Sequence, residues 1–187
     1  MSRVTIGRAT CVALALGVFV RAQSAVSPPS AHFGFELAAD GRFAMWDQEV
    51  AYYEKIANES DRIDVQVLGK STQGRPFLML TISSPQNLAK AGRYKEISRQ
   101  MADPRGLTPQ QIDALSAEGR AVVLVTFGQH STEVASSQMG PRLVYRMATS
   151  NDDQIRTILD NTIFLLIPSF NPDGHDSVGD CLTKSAG

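Results

Sequence analysis

Between Met45 and Ala57 the apolar residues Met45, Trp46, Val50, Tyr53, Ile56 and Ala57 return every three or four positions. That is the period of a helix with one buried face. From Ile63 the period drops to two, because Ile63, Val65 and Val67 alternate with Asp64 and Gln66. This predicts a half-buried strand, and the denser apolar run within Arg75 to Ser83 predicts a second. The intervening "GKSTQG" begins with Gly69 and ends with Gly74. It suits a hairpin connection with positive φ at one or both corners, placing a hairpin over about 63–83. Helical patterns follow over about 88–101 and 109–117. The second is opened by Thr108 as N-cap, with Pro109 at the first helical position and Gln111 completing a capping box. "AVVLVTF" (121–127) and "TIFLLIP" (162–168) are continuous apolar runs rich in β-branched and aromatic residues. They predict strands buried on both faces, with helices over about 132–148 and 152–159 between them. Strand, helix and strand in that order predict a parallel pair joined by a crossover. The expected class is α/β, with a mixed β-sheet and flanking helices.

The residues outside this pattern divide the chain. Arg3 and Arg8 precede an apolar run from Ala9 to Val20, and Val20-Arg21-Ala22 offers a cleavage site, so residues 1–22 read as a signal peptide. The run is too short to span a hydrocarbon core of about 30 Å comfortably, so no stable membrane anchor is expected. The protein is expected to be exported, either secreted or periplasmic. Residues 23–44, with Pro28-Pro29 and little periodicity, read as a linker or irregular N-terminus, and 45–187 as the folded domain. Lys and Arg number 18 against 19 Asp and Glu, with no basic stripe, so nucleic acid is not an expected partner. Cys11 lies in the leader, so the mature chain is expected to form no internal disulfide. Nothing near Cys181 marks it as a nucleophile.

The candidate chemistry is in "FGQHSTEVASSQMG". His130 stands three residues beyond Phe127, where a strand should end, and sites in open α/β sheets gather at the carboxyl ends of strands. With a helix starting near Ser131 or Thr132, His130 and Glu133 share its first turn, and an imidazole nitrogen and a carboxylate can converge on one ion. Spacing alone is equally compatible with a helix cap beside a solvated imidazole. Ser71, Ser131 and Ser169 lack a G-x-S-x-G setting, and no phosphate loop is present. "NPDG" (171–174) reads as a turn nucleated by Asn171, Pro172 and Asp173, which makes His175 a solvent-facing turn histidine. His32 falls in the linker.

Three landmarks in order, "GKSTQGRPFLMLTIS", "GQHSTEVASSQMG" and "IFLLIPSFNPDG", resemble the zinc carboxypeptidase family, the metallopeptidases similar to carboxypeptidase A. The resemblance covers about 63–176. It implies that His130 and Glu133 match the first two ligands of one zinc ion, and that the reaction is hydrolysis of the C-terminal bond of a peptide or protein substrate. In that family a separate glutamate handles the water's proton. The second histidine ligand, that glutamate, the substrate-facing tyrosine and the Asn-Arg pair that holds the substrate carboxylate come after the Asn-Pro-Asp-Gly landmark. The sequence reaches Gly187, thirteen residues past Gly174, and none of those groups maps onto it. The expectation is therefore the N-terminal part of such a domain, truncated at its C-terminus, with no catalytic residue assigned and apolar strand surface exposed. Many members carry arginine where Thr132 stands. The alternative is a catalytically inactive exported fragment that serves as a binding or interaction module.

Overall fold

The computed structural model describes residues 25–185, so the leader read into residues 1–22 lies outside the described residues. The elements run α1 (Pro29–Phe33), α2 (Trp46–Glu59), β1 (Ile63–Lys70), β2 (Pro76–Ile82), α3 (Pro85–Leu88), α4 (Ala91–Ala102), α5 (Pro109–Glu118), β3 (Ala121–Thr126), α6 (Val134–Thr149), α7 (Asp153–Asn161), β4 (Thr162–Ile167) and α8 (Pro172–Ser185). A 3₁₀ turn at Pro104–Gly106 separates α4 from α5. The four strands form one mixed sheet in the order β1-β2-β4-β3. β1 and β2 make the expected antiparallel hairpin, β2 and β4 are antiparallel, and β3 and β4 are the expected parallel pair. Of the two corner glycines, Gly74 has the positive φ, 84°.

Alternation along the strands feeds two cores. Leu78, Leu80 and Ile82 of β2 and Leu166 of β4 face Trp46, Tyr53, Ile56 and Val144 from α2 and α6. On the opposite face Ile163 packs with Tyr94 and Ile97 of α4 and Leu115 of α5, with Leu165 beside them. The layers are helix, sheet and helix. The cap of α5 forms as expected: Gln111 N–H donates to Thr108 Oγ1 at 3.3 Å, and Thr108 N–H donates to Gln111 Oε1 at 2.8 Å.

Three features depart from the sequence reading. Residues 25–44 are laid against the domain: Phe33, Leu37 and Ala44 belong to the main core, and Tyr52 Oη donates to Ser27 O at 3.1 Å. The helix expected over 88–101 begins at Ala91 as α4, after the separate short α3, and α6 starts at Val134, beyond the His130–Glu133 pair. β3 is not buried on both faces, although exposed apolar strand surface is itself among the expectations. It stands at the sheet edge, and Val122, Val123 and Leu124 are 47%, 42% and 58% exposed. A continuous apolar run signals the capacity for burial, whereas position in the sheet decides how much is realised.

A buried polar cluster joins α2, α6 and α8. Gln138 Oε1 accepts from Ala44 N–H at 2.8 Å, while its Nε2 donates to Ala44 O at 2.9 Å and to Glu49 Oε1 at 3.1 Å. Tyr53 Oη donates to Glu49 Oε2 at 3.3 Å. His175 Nε2 lies 2.9 Å from Ala44 O and 3.8 Å from Glu49 Oε1. A carbonyl only accepts, so the first contact fixes the Nε2–H tautomer. Burial raises the Glu49 pKa well above its ordinary value and lowers that of His175, so desolvation disfavours the charged form of each.

The linkage has a definite sign. The unfolded chain releases the Glu49 proton near pH 4.5 while the fold retains it, so this residue's contribution to stability declines as pH rises through that value toward its raised folded pKa. Glu49→Gln keeps an acceptor for Tyr53 and cannot ionise. Thermal melts at pH 4.5 and 8 should show the variant gaining stability relative to the wild type at the higher pH. An equal difference at both values would contradict the assignment.

Candidate metal centre

Parallel pairing brings the carboxyl ends of β3 and β4 side by side, with Thr126 in register with Ile167. The pairing continues into the loops. Phe127 N–H donates to Ile167 O at 2.8 Å, Phe170 N–H to Phe127 O at 2.7 Å, and Asn171 N–H to Gly128 O at 3.1 Å. Gly128 turns the chain away from the strand at φ 59°, and a Cβ there would lie 3.0 Å from Ser169 Oγ and 3.3 Å from Ser169 Cα. The left-handed backbone and the close approach both favour glycine.

The segment from Gly128 to Glu133 folds as a turn. Glu133 N–H donates to His130 O at 3.1 Å. Ser136 Oγ donates to Glu133 O at 3.1 Å and accepts from Gly128 N–H at 3.3 Å, stitching the turn to α6. Glu133 occupies the position before the helix, with φ −87° and ψ 61°. His130 Nδ1 and Glu133 Oε1 approach to 3.1 Å, with the two side chains 69% and 67% exposed. The two side chains are neighbours on a turn, and not on the first turn of a helix as expected.

The adjoining α8 is built differently from the expected "NPDG" turn. Asn171 Oδ1 accepts from Gly174 N–H at 2.9 Å, and Pro172 is the first helical residue. An Asx cap followed by proline is a helix-start signal, and it was available in the sequence. His175 consequently lies inside the helix, buried against the rings of Phe43 and Trp46 at 4.8 and 6.0 Å. It is a core residue, and burial overturns the solvent-facing reading. His32 is also engaged elsewhere, its Nε2 lying 3.1 Å from Gln48 O.

A clamp missed by sequence reasoning ties α8 to the β1–β2 hairpin. Asp173 Oδ1 accepts from Ser71 Oγ at 2.6 Å and from Arg75 Nη1 at 3.0 Å, and its Oδ2 accepts from Gln73 N–H at 3.1 Å. Asp176 accepts from Trp46 N–H at 2.8 Å and from Arg75 Nε at 2.5 Å. The Ser71 hydroxyl, with Gln73 N–H and Arg75, holds the Asp173 carboxyl below its ordinary pKa.

His130 and Glu133 offer the nitrogen and carboxylate donors that zinc accepts. They fit as two members of a ligand set. Among the described residues no group of three His, Cys, Asp or Glu side chains could hold a metal ion.

Comparison with known proteins bears on this arrangement. A family model described as zinc carboxypeptidase matches residues 49–183. No curated protein matches the chain in sequence. The structure of thrombin-activatable fibrinolysis inhibitor superposes with a TM-score of 0.55 at 14% identity, over 80% of this chain and 31% of that one. That of carboxypeptidase A from Helicoverpa armigera superposes with a TM-score of 0.50 at 18% identity, over 72% of this chain and 26% of that one. The likeness is one of fold, and this chain spans a minor share of the length of either structure.

Ser169 Oγ, fully buried, is without a hydrogen-bond partner among the described residues. Removing a hydroxyl that makes no bond forfeits little, so Ser169→Ala should leave the melting temperature unchanged or raise it. Gly128→Ala, which forces a left-handed backbone and crowds Ser169, should destabilise by roughly 1–3 kcal/mol in chemical denaturation. Equal effects from the two substitutions would refute this account of the strand end.

Proposed function

The chain belongs to the zinc carboxypeptidase family, and from that premise we propose that it carries part of the metal site of an exported metallocarboxypeptidase. The substrate class is peptide or protein, and the bond hydrolysed is the one that joins the C-terminal residue. The observation that supports this reading is the 3.1 Å approach of His130 Nδ1 to Glu133 Oε1 beyond the carboxyl end of β3. Export is supported by the leader pattern of Arg3, Arg8 and the apolar run from Ala9 to Val20.

Zinc, when bound, supplies a Lewis acid that polarises a carbonyl and makes water a stronger acid. The chain's own residues supply the holding groups. His130 offers a neutral imidazole nitrogen and Glu133 an ionised carboxylate, and each must be free of a proton at the donor atom to bind. Their exposure on one turn leaves the donors open to a bulky peptide. Thr132, exposed between them, brings a hydroxyl and no charge to that turn.

The proposal is tested by titrating the purified chain with zinc and measuring bound metal by calorimetry and elemental analysis. His130→Ala and Glu133→Ala should each weaken binding roughly tenfold or more. Absence of zinc binding by the wild-type chain, or undiminished binding by the double variant, would count against these donors.

A further inference from the structure

The His130–Glu133 turn rests on the first turn of α8. A Cβ built at Gly174 would lie 2.7 Å from both Cβ and Oγ of Ser131, and 2.5 Å from Asn171 Nδ2. Glycine is a poor helix former, and Gly174 is not among the glycines with positive φ. Backbone conformation therefore gives no reason for glycine inside this helix, whereas the approach of Ser131 does. The Ser131 Cβ is bonded directly to the backbone of the turn and cannot rotate out of the way. Any side chain at residue 174 has to displace the Asn171 amide and either that backbone or the helix.

The helix is the better anchored of the two. Asp173 and Asp176, on either side of Gly174, are held by Ser71, Gln73, Arg75 and the Trp46 N–H. His175 is buried against Ala44 O. The turn is exposed at Thr132 and Glu133 and is joined to α6 through Ser136. A clash at this contact moves the turn, and with it the residues immediately before and two positions after Ser131.

We infer that Gly174 is a positioning residue for the metal donors: its bare face seats Ser131, and this contact sets the convergence of His130 and Glu133. The inference rests on the reading of those two residues as metal donors. Supporting contacts around metal ligands are commonly worth tenfold to a hundredfold in affinity.

The test uses Co²⁺ as a paramagnetic probe and follows the His130 imidazole signals by NMR in the full chain. Gly174→Ala should weaken the cobalt effect on His130 roughly tenfold. Ser131→Gly removes both atoms that a new Cβ would meet on the turn and leaves only Asn171 Nδ2, so Ser131→Gly/Gly174→Ala should bind within about threefold of Ser131→Gly alone where the turn contact, and not the Asn171 contact, carries the loss. Should Gly174→Ala not fold, Ser131→Thr crowds the same contact from the turn side and should weaken binding in the same direction. Unaltered binding by Gly174→Ala, or by Ser131→Thr where that variant takes its place, would overturn the inference. So would a double variant that stays as weak as Gly174→Ala. A wild-type chain on which cobalt leaves His130 untouched fails at the donor assignment itself, a result distinct from these.

Discussion

The parallel register of β3 with β4 is the constraint from which the candidate site follows. It fixes where both strands end, and two further backbone bonds, Phe170 to Phe127 and Asn171 to Gly128, carry the pairing past the sheet. The turn bearing His130 and Glu133 and the start of α8 are therefore neighbours by topology. Parallel strands need a crossover, and α6 and α7 provide it, so the helix that follows the turn also holds the strands in register.

Two sets of polar contacts then remove the remaining freedom of α8. One is the exchange of Asp173 and Asp176 with Arg75, Ser71, Gln73 and Trp46, which binds the helix to the hairpin and to the start of α2. The other is the buried cluster of Glu49, Gln138 and His175 around the backbone of Ala44. Desolvated polar groups are tolerable when they are bonded, and a bonded network admits few alternative arrangements. The segment before α2 is thereby part of the scaffold beneath the site.

Much of this was legible in the chain because it depends on local periodicity. The hairpin, the capping box at Thr108 and the two apolar strands β3 and β4 follow from apolar spacing and a few turn residues. The candidate donor pair was legible as a spacing, and its close approach as a possibility. What local patterns do not carry is partnership across long separations. Nothing near His175 in sequence announces Ala44, and nothing near Asp173 announces Arg75. Which of the two apolar strands is the exposed one is hidden for the same reason, since an edge strand and a central strand share one composition when both are rich in valine and leucine.

That exposed strand makes protein concentration a variable of the fold. Ala121–Thr126 contains no charged residue and no proline, the two devices by which edge strands commonly deter unwanted pairing. Its outer edge faces no other strand among the described residues. Any extended peptide that reaches it meets a ready ladder of backbone donors and acceptors flanked by valine and leucine. The strand that supports the candidate metal turn on one side is thus, on the other, the surface on which crowding acts first.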